Sequence, residues 1–254
     1  MNVAVCVKQI PDPASPGKLD PATHTLVREG KLILDDSDAY GVEMALQLVD
    51  KAGGGEVTLV SMAPNSETSG LRTALAMGAA KAILVSDDAL KGADALTTAK
   101  VLAAAITRLS PDLVIAATES TDGYTGTTPV QVAELLGLPS VTFAKHVEVA
   151  DGSLKVDRQT EAGYDEVTCP LPAVVTVTAG VVEPRYPSFK GIMGAKGKPV
   201  EQLKAADLGV ELGAPGQSVT AVQAAEARQA GEIVVDEGDA HERVVAFLDQ
   251  LKLL

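Results

Sequence analysis

The chain has 254 residues, enough for one large α/β domain or a domain with an arm. Apolar residues make up 46% of it, but with 3% aromatics and no Trp the core must be aliphatic and alanine-rich, the composition of parallel sheets covered by helices. A formal net charge of -13 excludes non-specific binding to nucleic acid or anionic membrane, both of which need a Lys/Arg excess, and points to protein partners with basic faces.

Residues 1–7 are almost entirely apolar and read as a central strand that emerges at Lys8-Gln9. A Pro- and Asp-rich loop over 10–20 follows, which in an open α/β sheet lies beside the binding crevice. Residues 25–34 have the pattern of a hairpin turning at Glu29-Gly30. Asp35, Asp36, Ser37 and Asp38 precede a helix with Val42, Ala45, Leu46 and Val49 on one face, and as N-caps they complement its dipole. Three glycines close that helix. A second buried strand spans 56–62, and a loop over 63–66 follows, with Ser66 as the expected N-cap. Leu71, Ala74, Leu75 and Gly78 then recur at helical spacing. A third strand over 82–85 and an amphipathic helix over 94–109 complete the run up to Leu113.

The stretch 113–139 is the pivot of the chain: a buried strand over 113–117, a Gly/Thr/Asp loop over 118–128, and a helix with Val132, Leu135 and Leu136 on one side. A strand feeding a glycine-containing loop at a helix start leaves unpaired N–H groups in a positive dipole end, which attracts phosphate. The loop carries neither a Walker nor a G-x-G-x-x-G signature, so an ordinary threonine-capped connection stands beside the phosphate reading. The alternation up to here, β-α-β-α-β-α-β-α, suits a doubly wound parallel sheet.

After Pro139, short strand-like runs over 141–149, 154–159 and 173–178 alternate with turns and read as an antiparallel addition at the sheet edge. Residues 182–200 hold three prolines, three glycines, the apolar group Tyr186, Phe189, Ile192 and Met193, and the basic Arg185, Lys190, Lys196 and Lys198. Such a loop is a docking hook or a plug over the domain's own core. Residues 201–208 read as a short helix, and 209–239 are weakly patterned with one strand candidate at 233–235. Asp239 and Glu242 form the pattern of a capping box for a last helix with the stripe Val244, Phe247, Leu248 and Leu251, to be covered by this domain or by another subunit. The expected organisation is an α/β nucleotide-binding domain over 1–208 and an arm over 209–254.

Cys6 and Cys169 are too far apart in sequence for a C-x-x-C pair, and no metal-ligand spacing involves His24, His146 or His241. No nucleophile-base constellation is visible either. The opening nonapeptide is too short for a signal peptide and no apolar run reaches membrane-spanning length, so a reduced, cytoplasmic setting is expected.

Five segments taken together, VCVKQIPD, RTALAMGA, DGYTGTTP with its AELLGLP continuation, LPAVVTVT and EPRYPSFKGIMGAKGKP, resemble the β subunit of electron transfer flavoprotein, in order and over essentially the whole chain. The resemblance implies an electron carrier and not an enzyme, paired as a heterodimer with an α subunit that holds most of the FAD site. It implies reduction by acyl-CoA dehydrogenases and other flavin dehydrogenases, delivery to a membrane quinone oxidoreductase, and a structural AMP in this subunit or, in bifurcating relatives, a second FAD. By matching positions the nucleotide would touch Cys6, the turn Asp35, Asp36, Ser37 and Asp38, then Met62, and the loop residues Ala117, Thr118, Glu119, Asp122, Gly123, Tyr124, Thr125, Gly126, Thr127 and Thr128. Partner recognition would fall to Arg185, Tyr186, Phe189, Lys190, Ile192 and Met193, with Phe189 at the anchor position. An adenine-nucleotide enzyme such as an ATP pyrophosphatase would instead need a Ser-Gly-Gly-x-Asp-Ser loop after the first strand, where this chain has Lys8-Gln9-Ile10-Pro11-Asp12.

Overall fold

The computed structural model describes residues 1–15, 17–223, 231 and 233–254, which divide into two compact units, Met1–Val219 and Thr220–Leu254. The first unit is built on one nine-stranded sheet. Its parallel part runs, in spatial order, β11 (Val200–Leu203), β5 (Lys81–Ser86), β4 (Glu56–Ala63), β1 (Asn2–Cys6), β6 (Leu113–Ala117), β10 (Ala173–Val177) and β7 (Ser140–Ala150). The antiparallel strands β8 (Ser153–Thr160) and β9 (Gly163–Pro170) then extend the edge.

Helices cover both faces because the strand residues alternate between two cores. Val3, Val5, Leu59, Leu113 and Ile115 pack with α1 (Asp36–Lys51) and α2 (Ser69–Met77). Ala4, Val60, Ile83 and Val114 pack with α3 (Ala95–Thr107) and α4 (Thr128–Leu136). The expected doubly wound, mostly parallel α/β sheet with an antiparallel edge is the fold observed. Successive strands step outward from β1 to β4 and β5, then cross back to β6 on the other side. The sheet therefore reverses direction between β1 and β6, and an open sheet has its crevice at the carboxyl ends of such a pair.

Several local expectations are corrected. Residues 25–28 do not pair with 31–34. Instead β3 (Leu32–Leu34) pairs antiparallel with β2 (Gln9–Pro11), because Leu32, Leu34 and Ile10 are all buried, while Leu26 bridges to Leu19. Ser66 is not the N-cap of α2, which begins at Ser69; the Glu67 carboxylate accepts the Thr68 and Ser69 N–H groups instead, both at 2.8 Å. The AVVTV run is no edge strand but the fully buried β10, inserted between β6 and β7, and the third edge strand is the largely exposed β9. Residues 200–203 form β11 against β5, leaving only one 3-10 turn at Ala205–Leu208 from the expected short helix. In α4, Val132 and Ala133 face the core while Leu135 is exposed, since a 100° step per residue puts it at the flank of that face.

In the second unit, α6 (Ala240–Gln250) buries none of its residues, and Val244, Phe247 and Leu251 are exposed along it. The Asp239–Glu242 capping box does not close; Asp236 accepts the N–H groups of Gly238 and Ala240 in its place. Residues 233–235 form no sheet pairing, and the arm's remaining weakly patterned stretch falls partly outside the described residues.

Gly70 is the tightest point between α2 and β3. A Cβ there would stand 2.8 Å from the Ile33 carbonyl carbon and the Leu34 nitrogen, both backbone atoms that cannot step aside. Gly70→Ala should therefore cost about 1–3 kcal/mol, whereas Gly194→Ala, with nothing within 4 Å and a helical position, should be neutral or stabilising. Urea unfolding of the two variants measures the contrast.

Candidate functional site

The carboxyl ends of β4, β1 and β6 lie side by side and form a crest. Met62 near the end of β4 and Cys6 at the end of β1 are half-buried against the core beneath α3 and α4, and Ala117 closes β6. Thr118 donates its hydroxyl to the Val177 carbonyl at 3.2 Å, which ties the exit of β6 to β10. Desolvation, with a smaller contribution from the Asp38 carboxylate, pushes the Cys6 thiol up to about 12.

Below the crest a polar network joins four chain segments. Asp35, with no exposed surface, accepts the Ser37 N–H on Oδ1 (3.0 Å) and caps α1; its Oδ2 accepts the Thr121 N–H (2.7 Å) and hydroxyl (3.1 Å). Asp38 Oδ2 accepts the Lys8 N–H at 2.6 Å. The Lys8 ammonium donates to Asp122 Oδ1 at 2.7 Å and to the Ser120 hydroxyl at 3.2 Å. Arg28 reaches Asp122 Oδ2 at 2.5 Å, a close ion pair set off the line a hydrogen bond needs.

Burial opposes the ionisation of Asp122, but the Lys8 and Arg28 cations outweigh it and hold that carboxyl below its ordinary range. Asp38 goes the other way: desolvation, assisted by Asp35 and Asp122, raises it well above the ordinary value despite the Lys8 N–H.

Past Asp122 the loop turns outward. Tyr124 (φ 47) and Gly126 (φ 69) adopt left-handed conformations, and Gly123, Tyr124, Thr125, Gly126 and Thr127 are exposed. Among the described residues, the backbone N–H groups of Gly123, Thr125, Gly126 and Thr127 have no protein acceptor, while that of Tyr124 bonds back to the Ser120 carbonyl at 2.9 Å. Pro129 at the first turn of α4 brings no N–H of its own. Free donors at a helix start, on a backbone without intruding side chains at Gly123 and Gly126, suit an anionic oxygen group such as a phosphate. Glu119 is the acidic neighbour, with Oε2 3.4 Å from where a Gly126 Cβ would stand. The structure thus brings Cys6, Asp35, Ser37, Asp38, Met62 and residues 117–128 to one end of the sheet, with Asp36 exposed beside them.

Ser120 and Thr121, inside the loop read as the phosphate site, belong to the same network, as do Lys8 and Arg28, which escaped the sequence reading. The signal for Lys8 was present: a cation at the carboxyl end of the first strand. Arg28 had none, since its partner Asp122 lies in a segment distant in sequence.

The second predicted group forms a separate feature. Tyr186 is 95% exposed and Phe189 82%, with Ile192 and Met193 also outward on α5 (Phe189–Ala195) beside exposed Lys190. Ser188 caps α5 by accepting the Gly191 N–H at 3.0 Å. Arg185 turns inward, pairing with Glu43 of α1 through Nε (2.6 Å) and Nη2 (3.0 Å). Among the described residues no group of His, Cys, Asp and Glu could hold a metal ion.

A family model described as electron transfer flavoprotein domain matches residues 23–208. "Electron transfer flavoprotein subunit beta" of Mycobacterium bovis is 39% identical over 264 aligned positions, covering 100% of this chain and 99% of that protein. The protein of that name in Thermoanaerobacterium thermosaccharolyticum is 39% identical over 99% of this chain and 98% of its own. "Caffeyl-CoA reductase-Etf complex subunit CarD" of Acetobacterium woodii is 38% identical over 88% of this chain and 86% of its own.

The two shifted carboxylates give opposite pH responses. Asp122 has a folded pKa below its unfolded one, so its contribution is present above the ordinary carboxylate range and lost as pH falls through the folded value. Asp122→Asn should cost about 1–3 kcal/mol at neutral pH, and the deficit should shrink toward about pH 3. Asp38 has the raised pKa, so its ionisation erodes stability as pH climbs above about 4. Asp38→Asn, which keeps an acceptor for the Lys8 N–H, should gain on the wild type over that climb. Urea unfolding between about pH 3 and 8 reads both, and parallel curves for the two variants would refute the assignment.

Proposed function

The chain belongs to the electron transfer flavoprotein β-subunit family, and from that premise we propose that it is the nucleotide-holding half of a heterodimeric electron carrier, with one AMP at the carboxyl crest of its sheet. The observation that carries the nucleotide reading is the set of backbone N–H groups at Gly123, Thr125, Gly126 and Thr127 that no protein acceptor meets. They would hold the phosphate, Asp35 and Asp38 fix the loop and the β1 exit around it, and Cys6, Met62 and Ala117 supply the apolar floor. The FAD, which supplies one-electron and hydride-level redox chemistry when bound, belongs mainly to the α subunit at the interface. This chain itself performs no bond chemistry: its part is to bind, orient and shield.

Electrons would arrive from acyl-CoA dehydrogenases and other flavin dehydrogenases, docked at the exposed ring of Phe189, where a buried aromatic anchor contributes about 2 kcal/mol or more. They would leave to a membrane quinone oxidoreductase. No described helix is long and apolar enough to cross a membrane. The exposed stripe Val244, Phe247 and Leu251 of α6 would be covered by the α subunit. A second reading, a further FAD in place of AMP, uses the same N–H groups.

The isolated chain should be nearly colourless, turn yellow only with its α subunit, and release one AMP per heterodimer on denaturation, measured by mass and absorbance. Stoichiometric flavin in the isolated chain would instead establish the two-flavin form. Gly126→Val puts a branched side chain at φ +69 and against Glu119, and should abolish nucleotide retention. Thr127→Ala, losing one hydroxyl contact worth on the order of 1 kcal/mol, should do less. Deleting residues 239–254 should weaken the heterodimer and leave the first unit folded; unfolding of the truncated chain would place α6 in the core instead.

A further inference from the structure

Resting on the reading that the Phe189 loop docks a dehydrogenase, we propose that Arg185 is not a contact residue but a positioning residue, which with Glu43 fixes the loop in its docking pose before any partner arrives. Glu43 lies two turns into α1, and its side chain is 4% exposed. Every approach to its carboxylate is taken. Oε2 accepts the Arg185 Nε–H at 2.6 Å and its backbone N–H at 3.3 Å, while Oε1 accepts Nη2 at 3.0 Å and the Gln47 amide at 2.8 Å. A planar guanidinium fork matches this geometry and an ammonium cannot.

The far end of the loop is fastened as firmly. The Ala76 carbonyl of α2 occupies the space a Gly191 Cβ would need, so α5 rests directly on α2. Arg72 of α2 donates to the Ala195 carbonyl at 2.8 Å and the Lys198 carbonyl at 2.7 Å. The Lys198 ammonium caps the end of α2 through the Leu75 (2.8 Å) and Ala79 (2.7 Å) carbonyls, where the helix dipole favours a cation. Between these two anchorages Tyr186, Phe189, Ile192 and Met193 all face solvent. A loop tied at both ends by polar bonds, with apolar side chains displayed between, is ordered during folding, and the ordering cost is removed from the docking step.

Glu43 separates this role from direct contact, because it is too buried for a partner to touch. The test is steady-state kinetics of an acyl-CoA dehydrogenase with the heterodimer as electron acceptor. Glu43→Gln should raise KM about threefold to tenfold with kcat within about twofold of wild type, and Arg185→Lys, which keeps the charge but not the fork, should do the same. In a Phe189→Ala background Glu43→Gln should add nothing, since the ring it positions is gone. An unchanged or lowered KM in Glu43→Gln alongside a raised one in Phe189→Ala overturns the positioning role and leaves Arg185 as a contact. Additive effects of Glu43→Gln and Phe189→Ala overturn it too. A Phe189→Ala variant with wild-type KM overturns the docking reading itself. Should Glu43→Gln not fold, Arg185→Lys combined with Phe189→Ala decides: no KM effect beyond Phe189→Ala alone supports positioning, and an additive one overturns it.

Discussion

The buried carboxylate of Asp35 is the interaction on which the arrangement of this sheet's carboxyl end depends. With no exposed surface it holds the first turn of α1 and the loop after β6 on the same pair of oxygens. Both of its oxygens meet donors, three in all, and a buried polar group without such partners would be costly to desolvate. Since β1 and β6 are neighbours whose crossovers leave in opposite directions, nothing in the sheet alone closes the gap between their exits. Asp35 closes it, and the Lys8–Asp38 and Lys8–Asp122 bonds complete the junction.

From that junction α1 carries order to a second place. The helix that Asp35 caps bears Glu43 two turns later, so one rigid element sets the crest at its start and the apolar loop over 185–198 along its side. A shift of α1 would displace both together. Against it pack the strand residues Val5, Leu59 and Ile115, fully buried with Val42 of α1 itself, and such close-packed interiors transmit displacements instead of absorbing them.

The parallel core was legible in the sequence because strands buried on both faces are continuous apolar runs, and because α3, capped by Asp94, fills the amphipathic stretch 94–109. The short strands were not. The pairing of Leu32–Leu34 is decided by which of two neighbours lets Leu32 and Leu34 be buried, and that choice is made by tertiary packing. β9 was missed for the opposite reason: its residues are largely exposed, so it has no apolar signal, and its pairing with β8 specifies it instead. β10 was noticed as a strand but misplaced, since nothing local says that AVVTV passes between β6 and β7. At the candidate site the glycines, threonines and acids of the loop were readable, while the cations that neutralise Asp122 come from segments far away in sequence.

Both thiols of this chain are held toward the protonated form. Peroxide oxidises thiolates, not thiols. Cys6 sits at the crest itself, yet desolvation and the nearby Asp38 carboxylate keep its proton in place up to about pH 12. Cys169 is buried in β9 and its thiol is likewise pushed up by desolvation. Sulfur therefore stands at the carboxyl end of the sheet as a soft, protonated, largely apolar surface.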